Sequence, residues 1–319
     1  MSAVFGFAAF VLHVALMIAA APLVGGLVQL VRARLLGRAG PPLWQPWSEI
    51  IRLTRKQTVV AENASFVSLW APHVVFGATL AAAALVPSFA LHMTTAPVAD
   101  LIVLAGLLAL GRAALALAAM DVGTAFGGIG ASRRMTFATY AEPALLLTIF
   151  AFALSAGTTN LDALAAQLHE GGFGLRVSLG LALLSLLGVA LADAGRLPVD
   201  GPSSSPELAT FGDAMMLEYS GPPLAFLQLS SELRLLLWMT LIGLLLAPVA
   251  LDGAEAGPAE WTLGLLAWAT RTFVLVVVLA IAETTLTRMR VFRVQEFLGF
   301  AVLLALLAVI FAFVSQGFA

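Results

Sequence analysis

Arg112, Arg234 and Arg271 each fall well inside a long apolar run, and Glu142 lies within another. A charge at the centre of a bilayer costs at least about 2.5–3.5 kcal/mol on insertion scales, so such residues need partners or water and commonly mark ion or proton routes. Candidate partners are Glu232, Glu283, Asp121 and Asp193, in or at the ends of neighbouring runs. Acids and bases spread over several segments predict an internal polar chain. Glu142, Arg112, Arg234 and Arg271 lie some 12–18 Å from the nearer run end at about 1.5 Å per residue, too deep to snorkel easily. Asp100, Asp121, Asp193 and Glu296 stand close to run ends, where a packing ion pair is the simpler account. Glu142 also precedes Pro143, whose missing N–H frees a carbonyl one turn earlier. That predicts a local opening of the helix beside a carboxylate.

The segments that carry these charges identify the class. The chain has 319 residues, 61% hydrophobic and 11% charged, with mean hydropathy +1.01. A soluble domain has about a quarter of its residues charged, so this composition is that of an integral membrane protein. Roughly eight apolar runs reach the ~20 residues that cross a bilayer as a helix, near 4–31, 67–90, 98–120, 135–156, 175–192, 223–250, 260–283 and 295–317. The expected fold is an all-α bundle forming a single polytopic domain over 1–319. One set of alternating loops holds Arg32, Arg34, Arg38, Arg52, Arg55, Lys56, Arg133, Arg134, Arg196, Arg288, Arg290 and Arg293, and the opposite set holds only Arg176. The positive-inside rule then puts both termini outside, in the periplasm for an inner-membrane protein, and makes 32–66, 121–134, 193–222 and 284–294 cytoplasmic.

The same composition excludes several functions. A net charge of -2 with a single Lys leaves no basic footprint for nucleic acid. With no cysteine there are no thiolate metal sites, no Fe–S ligation and no disulfides. His13, His73, His92 and His169 lie at different depths or in loops, so neither a bis-His haem nor another resident cofactor or metal is expected.

Three polar stretches interrupt the apolar pattern. In LWQPWSEIIRLTRKQTV, residues 43–59, Trp44, Trp47, Ile50, Ile51 and Thr54 fall on one helical face and Glu49, Arg52 and Lys56 on another, predicting an amphipathic surface helix anchored by its tryptophans. DVGTAFGGIGASRR, residues 121–134, lacks the Lys-Ser/Thr ending of a phosphate loop and is expected to be a tight inner turn. LPVDGPSSSPELATFGDAMMLEYSG, residues 197–221, carries Asp200, Glu207, Asp213 and Glu218 on the cytoplasmic side.

ARLLGRAGPPLWQPWSEIIRLTRKQTV, DVGTAFGGIGASRR, AEPALLL, ADAGRLPVD and AMMLEYSG resemble, in order and spacing, the membrane subunit shared by energy-converting [NiFe]-hydrogenases and respiratory complex I, in its hydrogenase-4 or formate hydrogenlyase form. The resemblance spans about residues 20–305. It implies an eight-helix bundle without its own cofactor that docks a hydrophilic [NiFe]-hydrogenase-like or complex I-like redox arm and joins it to antiporter-like membrane subunits. Glu142, Asp200, Glu207 and Glu218 match acids of a proton-linked polar chain, to which the charge pattern adds Asp213, Glu283, Arg112, Arg234 and Arg271. Trp44, Trp47, Arg52, Arg55, Arg133 and Arg134 match the surface that faces the redox arm or, in complex I, lines a quinone chamber. A quinone site is therefore the alternative function, and a free-standing anion transporter built on the three buried arginines a more remote one. The chain departs from the hydrogenase-4 pattern at Gly201, Ser204, Ser205, Pro206, Gly212 and Asp213, where two histidines are replaced, and at Arg134, where Glu is usual.

Overall fold

Apolar runs of this length must satisfy their backbone internally, and they do so as helices. The computed structural model describes residues 2–169, 177–197, 199–200, 214–248, 251–253, 258–285 and 289–317. The helices are α1 (Ser2–Leu35), α2 (Gln45–Thr54), α3 (Phe66–Leu85), α4 (Leu101–Asp121), α5 (Ala125–Ala156), α6 (Leu161–His169), α7 (Val177–Asp193), α8 (Gly221–Leu246), α9 (Pro258–Thr285) and α10 (Val291–Gly317). Among the described residues, α1, α3, α4, α5, α8, α9 and α10 are long and apolar enough to cross a membrane. The remaining expected span corresponds to α7, apolar but 17 residues long. The chain is a multi-pass, all-α membrane protein.

Helix α8 is the axis of the bundle. From Leu233 to Leu245 every residue is buried, the pattern of a helix apolar all round and enclosed on all sides. Helices α1, α3, α7 and α9 pack around it, while α5, α7 and α10 form a second packed group and α3 pairs with α4. The interfaces are rich in Ala and Gly, which let backbones approach closely where there is no water to drive apolar association.

Side chains at the helix ends stitch α3 to α4. Ser65 caps α3, and its hydroxyl donates to Asp121, the last residue of α4, at 2.6 Å. Asp121 also accepts from the Ser65 N–H at 2.8 Å and the Ser68 hydroxyl at 2.6 Å. Asp121 is thus a tie between two helix ends, as its position near a span end suggests.

Three expectations need correction. The amphipathic helix is shorter than 43–59, and its buried face is Pro46, Ile50 and Leu53. Ile51 is 45% and Trp44 66% exposed. Pro46 starts the helix two residues later than expected, because its fixed φ favours the first helical turn, and packing of Ile50 and Leu53 on α8 rotates the contact face. The glycine-rich 121–134 stretch is not a turn throughout: the reversal is confined to Gly123 at φ +74°, and α5 begins at Ala125 with Thr124 as its cap. Gly127 faces the Ala119 carbonyl, where a Cβ would collide with backbone, so this glycine serves helix contact. In addition, α5 runs unbroken through Pro143.

Candidate functional site

The C-terminus of α7 builds the site. Gly195, at φ +66°, and Arg196 donate their N–H groups to the carbonyls of Ala192 and Leu191, at 3.2 and 2.9 Å, closing the helix as a Schellman motif. This turn sends Asp193 to one side of the bundle and Arg196 to another.

Asp193, buried, is the hub of the first cluster. Its Oδ1 accepts from Arg112 Nη1 at 2.7 Å, its Oδ2 accepts from Trp238 Nε1 at 2.9 Å, and Arg234 Nε lies 4.0 Å from Oδ2. Arg134 Nη2 donates to the Asp193 main-chain carbonyl at 3.4 Å. The second nitrogen of Arg112 donates to Glu142 Oε1 at 2.9 Å, so one guanidinium fork holds carboxylates from two helices. Three guanidiniums face two carboxylates, and the Nε atoms of Arg112, Arg134 and Arg234 are buried without a hydrogen bond. Such a set is costly to bury and holds together only as a unit. The Arg112 side chain is 7% exposed and that of Glu142 46%, so the chain runs from a sealed interior to a carboxylate half-open on the outer face of α5.

Arg196 enters the second cluster. Its guanidinium lies 3.9 Å from Glu232 on α8 and 3.8 Å from Glu283 on α9, and Glu283 lies 3.7 Å from Arg32 on α1. Both Glu283 oxygens and Oε2 of Glu232 are buried without hydrogen-bond partners. Charges spaced at this distance suit bridging by water rather than direct contact.

Arg271 stands apart from both clusters. It donates to the Ala247 carbonyl at 2.8 Å and the Ser88 carbonyl at 3.2 Å, beyond the C-termini of α8 and α3. The Ser88 hydroxyl in turn meets the buried His13 ring at 2.7 Å. Ala247 is the C-cap of α8, and a cation at a helix C-terminus is favourable with its dipole. Replacing Arg271 by Ala should lower the melting temperature of the purified protein by several degrees, roughly 1–2 kcal/mol for lost bonds to charged donors, while leaving both acid clusters intact.

The remaining predicted residues are distributed as follows. Trp47 donates to the Ala19 carbonyl of α1 at 3.1 Å and anchors α2. Arg52 lies 3.9 Å from Glu49 one turn away, and Trp44, Arg52 and Arg55 are exposed. Arg133 is half-buried on α5. The backbone of Asp200 pairs with Arg290 in a two-residue parallel bridge, and Glu207 and Asp213 lie outside the described residues. Glu218 lines a small cleft with Thr58, Val60, Ser68, Tyr219 and Pro223, which none of Trp44, Trp47, Arg52 and Arg55 lines. Tyr219 donates to the Ser68 carbonyl at 3.0 Å, and burial, helped by the nearby Asp121 charge, pushes its hydroxyl up to about 12. Tyr219 therefore stays a donor at physiological pH. On the opposite face, burial pushes the Asp162 carboxyl up, against the N–H that it accepts from His92 at 2.9 Å. Among the described residues, no three His, Asp or Glu side chains converge as a metal site.

Sequence reasoning placed Asp193 among the span-end packing acids, assigned Arg134 to partner docking, and missed Trp238 and Arg196. Two signals were available. Trp238 is one helical turn from Arg234, hence on its face, and Asp193-Ala-Gly-Arg196 reads as a helix end whose glycine turns a charged pair apart.

The fold and the site define a multi-pass membrane subunit with two buried acid–arginine clusters. The chain belongs to the NADH dehydrogenase family, whose model matches residues 7–314. It is 32% identical over 295 residues to hydrogenase-4 component C of Escherichia coli (strain K12), covering 91% of this chain and 90% of that protein. It is 29% identical over 273 residues to formate hydrogenlyase subunit 4 of the same organism, covering 85% and 87%. The fold is similar to that of a chain in the membrane-bound sulfane sulfur reductase, an archaeal respiratory membrane complex, with a TM-score of 0.76 and 20% identity over 96% of this chain and 99% of that one. These findings agree with the resemblance carried by the five sequence motifs.

Proposed function

We propose that this chain is the cofactor-free membrane subunit of a hydrogenase-4-like, complex I-related assembly, anchoring a peripheral redox arm and coupling its electron transfer to proton or ion movement. The observation that carries the reading is the Arg112 fork between Asp193 and the half-open Glu142. When a nearby loop or partner shifts the arginine, the two carboxylates that share its guanidinium lose their common partner, and either one can then take up a proton arriving along the route. Around this route the chain acts as one polytopic domain in the bacterial inner membrane. By the resemblance and the charge pattern, the acids Asp200, Glu207, Asp213 and Glu218 are assigned to the cytoplasmic end of the route, and antiporter-like subunits continue it beyond Glu142. Arg52, Arg55 and Arg133 suit contact with the arm. Purification of the intact complex from membranes, followed by mass spectrometry, should recover a [NiFe]-site-like or complex I-like hydrophilic subunit together with antiporter-like membrane subunits. Recovery of the chain alone, with transport activity, would overturn the reading.

The orientation rests on the arginine distribution and has its own test. Because the native chain has no cysteine, single cysteines placed at Ala3, Arg55 and Phe318 report topology cleanly. An impermeant thiol reagent applied to whole cells with a permeabilised outer membrane should label positions 3 and 318, and position 55 only after lysis.

A further inference from the structure

Gly25 and Gly26 are adjacent and buried on α1, yet they meet different neighbours. A Cβ on Gly26 would collide with the main-chain carbonyl of Leu43, which cannot retreat without moving the chain that leads into α2. A Cβ on Gly25 would instead overlap the carboxylate of Glu232, at Oε2, Cδ and Oε1. That tip belongs to a flexible side chain and can swing away at little cost to the fold. Gly26 is a packing requirement, whereas substitution at Gly25 would spare the packing and move a charge.

The Glu232 carboxylate is unusually dependent on this space. Its Oε2 is buried without a hydrogen bond, and its ion-pair partner, Arg196, is 3.9 Å away. Shape therefore sets its position more than directed bonds do. Arg32, seven residues and two turns beyond Gly25, lies on the same face of α1 and reaches Glu283 at 3.7 Å. Helix α1 thus presents to the second cluster a notch and then a guanidinium, each aligned with one of its two acids.

We propose that Gly25 is a positioning residue: the notch it leaves in α1 seats the Glu232 carboxylate within ion-pair reach of Arg196, in line with Glu283. The inference rests on the coupling role proposed above and extends it from the first cluster to the second. Its test is a double-mutant cycle in the intact membrane complex in inverted vesicles, comparing the native chain, Gly25→Ala, Glu232→Ala and the double variant. Electron transfer, proton uptake per electron, the pH profile of uptake and the melting temperature are measured for each. Gly25→Ala should keep assembly, electron transfer and melting temperature, while lowering uptake per electron by about threefold to tenfold and shifting its pH profile, as expected for residues in contact. On the Glu232→Ala background it should have no further effect. Gly26→Ala is the control, with its loss appearing in the melting temperature. If Glu232→Ala lowers uptake but Gly25→Ala does not, the positioning role is wrong and the coupling reading stands. If the two effects simply add, Gly25 acts through packing and the proposal is overturned. If Glu232→Ala leaves uptake unchanged, the coupling role of the second cluster falls, and this inference with it.

Discussion

Replacing Asp193 by Asn should be the most damaging single change in the molecule, lowering stability by about 3–5 kcal/mol as expected for breaking a buried ion network from one side. The amide can still accept from Arg112 or Trp238, so few hydrogen bonds are lost. What is lost is charge: Arg112, Arg134 and Arg234 would then face Glu142 alone, and their three Nε atoms are already without hydrogen bonds. The side chains of Arg112, Asp193 and Arg234 are 7%, 2% and 7% exposed, which leaves little contact with solvent to compensate. Thermal unfolding in detergent measures the effect. A second substitution, Arg234→Met, removes one of the surplus cations and should recover at least half of the loss. If it recovers none, charge balance does not govern this site.

Glu142→Gln should do the opposite, with a large functional effect and a small structural one. The side chain is 46% exposed, and a Gln oxygen can keep the 2.9 Å bond from Arg112 Nη2. The change in stability should stay below about 1 kcal/mol, the range of partly exposed ion pairs. An amide cannot take up a proton, so proton uptake per electron should fall by about tenfold or more, the lower end of what a positioned acid–base group contributes. The measurement is uptake in inverted membrane vesicles, with electron transfer recorded separately. Unchanged uptake per electron at unchanged electron transfer would remove Glu142 from the route.

The contrast between these two acids shows what could be read from the chain alone. Depth along an apolar run singled out Glu142, Arg112 and Arg234 because a bilayer penalises charge according to distance from water, a quantity that counting residues provides. The same reasoning undervalued Asp193: a residue at the end of a helix is near the interface only if that helix spans squarely. Helix α7 is short and closes inside the bundle against α4, α5 and α8, so its last residue is a buried one. Arg271 shows the converse. Its depth in the sequence matched that of Arg112, but α3 and α8 end beside it and offer carbonyls in place of carboxylates.

Composition and hydrophobic run length determined the all-α membrane class and located the seven long apolar helices of the described residues, since a lipid environment leaves the backbone few alternatives. The missing cysteines excluded thiolate chemistry, and the five motifs pointed to the family. Only the tertiary structure decided which charges meet. Ion pairing acts within about 4 Å, while helix rotation, crossing and termination are settled by packing among Ala, Gly and Leu faces whose one-dimensional pattern is nearly uniform. The left-handed turn at Gly195 divides one short motif between two clusters, and the missing Cβ at Gly25 leaves room for the acid of the second.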